Sequence, residues 1–163
     1  MPRFNYAEAA PGVYDAMDPA DRYLEHSSLE PSLLHLVRLR ASQINGCAYC
    51  IDMHWKDLRA LGEEELRLYL LDAWRESPCY TARERAALAW TEAVTAVATG
   101  QVPDEVYAAV APHFSRRELA DLTFAIAVIN AWNRLSVAAR PIPGRYRSPL
   151  EPPVHAGNAL SAS

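Results

Sequence analysis

No segment of this 163-residue chain alternates β-branched and polar residues between turn signals, so nothing in it reads as a strand. No uninterrupted apolar run reaches the roughly 18 residues that a bilayer span needs, so no membrane association is expected. The opening residues Met1-Pro2-Arg3-Phe4-Asn5 have no apolar core of the secretory kind. Cysteine is scarce: three, an odd number with two close together, do not make the framework of a disulfide-stapled secreted domain. A reducing cytoplasm is therefore the expected compartment, where a Cys-x-x-Cys is more often functional than structural. Basic residues form no dense patch beyond a short cluster near the C-terminus, and the net charge of -4 argues against a nucleic-acid partner.

What remains is ordinary for a globular protein, with 50% hydrophobic and 22% charged residues, enough for one domain with a substantial core. The periodicity predicts an all-α fold, a single-domain helical bundle. A first helical region covers about Pro11 to His26, interrupted at Asp18-Pro19 with Asp18 as N-cap and Pro19 at N1. Glu30-Pro31 opens a helix whose apolar face holds Leu33, Leu34, Val37 and Ile44 and which stops at Asn45-Gly46. The next helix runs to Leu61-Gly62, with Gly62 suited to the C′ position, and a short one spans about Glu64 to Trp74. Thr81 and Glu84 form a capping box for a helix to about Thr99, and Pro103 begins a short helix to about Pro112. Ser115 and Glu118 form a second box. That last helix reaches about Ala139 and buries Leu119, Leu122, Ile126, Ile129 and Leu135. The expected domain is 1–139, followed by a Pro-rich tail over 140–163 that is either solvated, the preferred reading, or an arm on a neighbouring subunit held by Arg145, Tyr146 and Arg147.

The chemistry concentrates in Cys47, Ala48, Tyr49, Cys50 and His54, introduced by Asn45-Gly46. On a helix Cys47 and Cys50 are i,i+3 neighbours and Cys50 and His54 are i,i+4 neighbours, so the three share one stripe. The helix N-terminus carries about half a positive charge and favours a thiolate. An imidazole beside it takes the thiol proton or, when charged, stabilises the sulfur anion. This suits thiol–disulfide chemistry.

The run Leu39-Arg40-Ala41-Ser42-Gln43-Ile44-Asn45-Gly46-Cys47-Ala48-Tyr49-Cys50-Ile51-Asp52-Met53-His54 resembles the signature of the carboxymuconolactone decarboxylase-like superfamily, and more closely its alkyl hydroperoxidase D-like branch. The likeness continues through Tyr69 to Pro78 and Arg85 to Ala93, and ends over Ile129 to Leu135. It implies an all-α fold, trimers or hexamers, and reduction of hydroperoxides without a cofactor. Carried over, Cys50 attacks the peroxide, Cys47 resolves it into a disulfide, and His54 handles protons, with a dihydrolipoyl or thioredoxin-like protein as reductant. Lactone decarboxylation is the weaker transfer, because those relatives generally lack the cysteine pair. The family pattern also places a glutamate twelve residues before the first cysteine, where this chain has His35. A histidine lacks that negative charge but still exchanges protons near pH 7, so His35 is expected either to keep a relay of altered pH dependence or to weaken the peroxidase.

Other readings stay open. The pair could serve a disulfide reductase or redox adaptor with little peroxide turnover. Cys47, Cys50, His54 and His35 could instead hold zinc in a non-catalytic oligomeric protein. Glu92, in an otherwise apolar helix, could face the site and replace the missing carboxylate. Asn130 and Asn133 need partners if buried, near the site or at a subunit contact. Trp74, Trp90 and Trp132 read as core or contact residues, Cys79 as an incidental thiol, and His26, His113 and His155 as surface or loop residues. Glu63, Glu64 and Glu65 read as a solvated helix start.

Overall fold

The computed structural model describes residues 1–150. Its elements are α1 (Tyr6–Ala9), α2 (Gly12–Glu25), α3 (Pro31–Ile44), α4 (Ala48–Ala60), α5 (Glu65–Tyr69), α6 (Ala82–Thr95), α7 (Val97–Gly100), α8 (Asp104–Val110) and α9 (Arg116–Ala139). Short 3-10 turns lie at Leu71–Ala73 and Ala111–His113, and no strand occurs among the described residues. The expected all-α fold is what forms. His155 and the rest of the tail beyond residue 150 lie outside the described residues.

Local chemistry sets most boundaries. Both capping boxes form: Glu84 N–H donates to Thr81 Oγ1 at 3.2 Å while Thr81 N–H donates to Glu84 Oε2 at 2.7 Å, and Ser115 with Glu118 repeats the pattern. Pro31 sits at N1 of α3 as expected. Helix α4 ends in a Schellman turn, with Gly62 N–H bonding Arg59 O at 3.0 Å and Glu63 N–H bonding Leu58 O at 2.9 Å. Gly62 takes φ +89° there, a conformation only glycine adopts without strain.

Two boundaries and one buried position differ from expectation. Pro19 does not start a helix but lies inside a continuous α2. Pro19 and Asp15 are both exposed, so the Asp15 carbonyl left without its helical donor is turned to water and the cost falls. The helix opened by Thr81 stops at Ala96, a non-helical residue, before the separate turn α7. Ile44, expected on the apolar face of α3, is 39% exposed at the end of that helix.

Helix α3 is the hub. It packs against α4, α6 and α9, and eight of its residues are buried. One core cluster lies on the α2, α6, α8 and α9 side, around Leu33, Val37, Ala87, Leu122 and Ile126. A second lies on the α4 and α5 side, around Leu36, Leu39, Leu58, Leu71 and Leu88. Between α3, α4 and α9 a small third cluster unites Ala41, Cys47, Cys50 and Ile129, so the thiols sit at a three-helix junction. Helix α9 has the length and mean hydropathy, 1.3 over 18 residues, of a membrane span. Its apolar stripe is used in the helical core, with Leu122, Ala125, Ile126 and Ile129 buried.

The C-terminal stretch over 140–150 is held against the domain rather than hanging free. It folds back along α4 of its own chain. Gly144 N–H donates to Asp52 Oδ2 at 2.8 Å, Lys56 Nζ donates to Tyr146 O at 3.1 Å, and Ser148 is buried.

Candidate active site

Helix α3 ends before α4 begins, and Asn45-Gly46 makes the turn between them, with Gly46 at φ +65°. Two amides of α9, half-buried Asn130 and buried Asn133, hold it. Asn45 Nδ2 donates to Asn130 Oδ1 at 3.0 Å and to Asn133 Oδ1 at 2.9 Å, while Asn133 Nδ2 donates to Ser42 Oγ at 3.0 Å. The two asparagines thus find their partners at the approach to the motif. The polar network satisfies groups that burial would otherwise penalise.

Cys47 is the N-cap of α4 and Cys50 lies in its first turn; each is 1% exposed. Both are free thiols. A donor hydrogen bond from the Cys50 thiol, with help from the Cys50 backbone and the Ser136 and Asn133 side chains, lowers the Cys47 pKa to about 7 against the opposing effect of burial. The same hydrogen bond to Cys47, followed by burial and repulsion from a Cys47 anion, raises that of Cys50. The pair therefore gives up one proton readily and the second with difficulty. Of the two, Cys50 lines the cavity and Cys47 lies behind it.

His54 follows one turn later and is buried, with Nε2 lacking a hydrogen-bond partner among the described residues. Its Nδ1 stands 3.2 Å from His35 Nδ1 across the α3–α4 contact. Burial lowers the pKa of His35 to about 4, Asp57 opposing this and Arg38 adding to it. Burial, then the charges of His35 and Arg38, hold His54 well below its usual value. Both rings are accordingly neutral at pH 7.

Sequence reasoning missed Asp57. It sits one turn beyond His54 on the same buried stripe of α4, with Oδ2 3.5 Å from His35 Nδ1 and 3.9 Å from His54 Nδ1. Tyr146 Oη and Ser148 Oγ both donate to its Oδ1, at 2.8 and 2.7 Å. The signal was present: the i,i+3 step from His54 to Asp57 continues the stripe that begins at Cys47. Glu92 does not replace the absent glutamate. It is engaged elsewhere, accepting from Arg40 Nε at 2.9 Å, Trp74 Nε1 at 2.8 Å and Arg75 Nη1 at 2.5 Å.

The alternative zinc set that the sequence left open is not assembled either. The donors that converge with His35 and His54 are those of Asp57, not of the cysteines. Cys79 packs at the margin of the second core cluster, apart from the junction that holds Cys47 and Cys50.

Cys50, His35, His54 and Asp57 all line one cavity of about 980 Å³. Its wall is largely aromatic and aliphatic. Trp132, expected only as a core or contact residue, forms part of it, stacked on Tyr14 at 5.7 Å and donating Nε1–H to Asp21 Oδ2 at 2.7 Å. Trp74 and Trp90 are core residues as expected. His26 is exposed and His113 half-buried. Glu63 is drawn into an ion pair with Arg67 at 2.8 Å while Glu64 and Glu65 remain exposed.

Residues 9–93 match the model of the carboxymuconolactone decarboxylase family. The uncharacterised protein YdfG of Bacillus subtilis is 42% identical over 136 residues, which are 83% of this chain and 92% of that protein. The crystal structure of ATU0492 from Agrobacterium tumefaciens, a protein of unknown function whose name suggests an antioxidant defence protein AhpD, superimposes with a TM-score of 0.86. The two share 44% identity over 88% of this chain and 98% of that one. An alkylhydroperoxidase AhpD core from Ralstonia eutropha, an uncharacterised peroxidase-related protein, shares the fold at 19% identity, with a TM-score of 0.76 over 85% and 74% of the two chains. By motif, family model and fold together, the chain belongs to the carboxymuconolactone decarboxylase family, in its alkyl hydroperoxidase D-like branch.

Proposed function

We propose that the protein is a thiol-dependent peroxidase that reduces organic hydroperoxides through Cys50 and Cys47. The observation that carries this reading is the position of Cys50, packed with a second thiol behind it and lining a largely apolar cavity in front. One proton of the pair leaves easily, and transfer of the remaining one from Cys50 to Cys47 puts the anion on Cys50 when a peroxide arrives. The Cys50 sulfur attacks one peroxide oxygen and the O–O bond breaks. The departing alkoxide takes a proton and leaves as an alcohol. Cys47 then attacks the Cys50 sulfenic acid, water departs, and a disulfide forms. An external dithiol restores both thiols by exchange.

Neutral His54 accepts and returns protons one turn from Cys50, and His35 extends the path. Asp57 supplies, from α4, the negative charge that the family pattern places at position 35, and so stabilises an imidazolium as it forms. Two sulfurs each 1% exposed are poorly placed to meet a folded protein's disulfide, which favours a small oxidant over the adaptor reading. The same burial favours a slender dihydrolipoyl arm over a thioredoxin surface as reductant. Assembly as trimers or hexamers in a reducing cytoplasm belongs to the same proposal.

The deciding experiment counts free thiols before and after one equivalent of cumene hydroperoxide. The parent should lose two thiols and gain a Cys47–Cys50 crosslink by mass spectrometry. Cys47→Ser should stop at a sulfenic acid that dimedone traps, and Cys50→Ser should not react. An unchanged thiol count in the parent overturns the proposal.

A further inference from the structure

We infer that His35 Nδ1, His54 Nδ1 and Asp57 Oδ2 form a binding site for a divalent transition-metal ion of the zinc class, independent of the cysteines. The three atoms are separated by 3.2, 3.5 and 3.9 Å. The latter two separations exceed N–H···O hydrogen bonds, which close to about 2.7–3.2 Å. They are ordinary for donors sharing one ion: a point equidistant from all three atoms lies about 2.1 Å from each, within the range of zinc–nitrogen and zinc–carboxylate bonds.

The surroundings prepare these atoms for that role. Both hydrogen bonds that Asp57 receives from Tyr146 and Ser148 end on Oδ1, leaving Oδ2 turned toward the rings without a donor among the described residues. Those bonds orient the carboxyl group as an outer shell orients a ligand. A neutral imidazole carries its proton on one ring nitrogen only, so both rings can turn an unprotonated Nδ1 toward the ion they share. Two nitrogens and one oxygen select zinc, cobalt, nickel or iron over calcium and magnesium. All three residues line the cavity, so a further position on the ion stays open to water or a small ligand.

The proposal goes beyond the peroxidase reading, and its test removes the thiols so that the two stand or fall separately. Cys47→Ser/Cys50→Ser protein stripped with chelator is titrated with Co²⁺ and followed by visible absorption. The expected result is one equivalent bound, ligand-field bands without a thiolate charge-transfer band, and displacement by Zn²⁺. In the same background His35→Leu and Asp57→Leu should each weaken binding by about 100-fold or more. His35→Glu restores a donor and should stay within about tenfold of the thiol-free protein, which separates lost ligation from lost folding. Absence of saturable Co²⁺ binding overturns the proposal. So does binding that His35→Leu and Asp57→Leu leave unchanged, since the ion then sits on exposed groups such as His26.

Discussion

Asp57 Oδ2 lies 3.5 Å from His35 Nδ1 across the contact between α3 and α4. The family pattern draws its carboxylate from α3, whereas this chain has an imidazole on α3 and a carboxyl group on α4. Beside His54, the carboxyl group of the cluster thus comes from α4, and a second imidazole stands on α3.

Asp57→Asn keeps an oxygen for Tyr146 and Ser148 but removes the charge. Asp57 favours the protonated form of His35, so in metal-free Asp57→Asn protein the imidazole pKa should fall further. The acid limb of the rate profile for thiol oxidation by hydroperoxide should move to lower pH, with the rate at pH 7 reduced by about tenfold. Stopped-flow profiles of parent and variant decide this; superimposable curves would remove Asp57 from the relay.

Stability should depend on pH through the same residue. The folded-state pKa of His35 is lowered from 6.5 to about 4. Between those values the unfolded chain binds more protons than the folded one, so stability rises with pH. The contribution is complete above the unfolded value and is lost as pH falls toward about 4. For His35 alone it is about 3 kcal/mol. Urea denaturation of chelator-treated protein from pH 7 to pH 5 should show the decline, and His35→Gln should flatten it. Equal slopes in the two proteins would contradict the assignment.

Ionisation of the cysteine pair should be stepwise. In a Cys79→Ser background, thiolate absorbance should report one group titrating near pH 7 and none following it until strongly alkaline pH. Cys50→Ala removes the leading hydrogen bond to Cys47, so the remaining thiol should move up toward the ordinary value of 9.0. A Cys50→Ala midpoint still near 7 would show that the helix terminus, not the neighbouring thiol, sets the acidity.

The returning C-terminal stretch should be worth measurable stability. Tyr146→Phe and Ser148→Ala each leave Asp57 one donor short, at a cost of about 1–2 kcal/mol apiece. Because both end on Asp57 Oδ1, the double variant should deviate from the sum of the singles. Strict additivity in a double-mutant cycle would mean that the two bonds act independently.

Most helix starts, both capping boxes, the Gly46 and Gly62 turns and the Cys47–Cys50–His54 stripe were legible from residue order, because each depends on groups within about one helical turn of one another. The approach at Pro19 was misread for a local reason as well: whether a proline breaks a helix depends on whether water reaches the carbonyl it orphans.

Residue order could not say which sulfur faces the cavity, whether Glu92 or Asp57 joins the imidazoles, or that the proline-rich stretch closes over α4. Those outcomes depend on how α3, α4 and α9 cross, and side chains far apart in the chain meet only after the helices pack. Periodicity marks the buried face of each helix but carries no information on its neighbour's register. The Cys47–Cys50–His54 stripe is thus written in the local sequence, while the groups that meet it from other helices are chosen by packing.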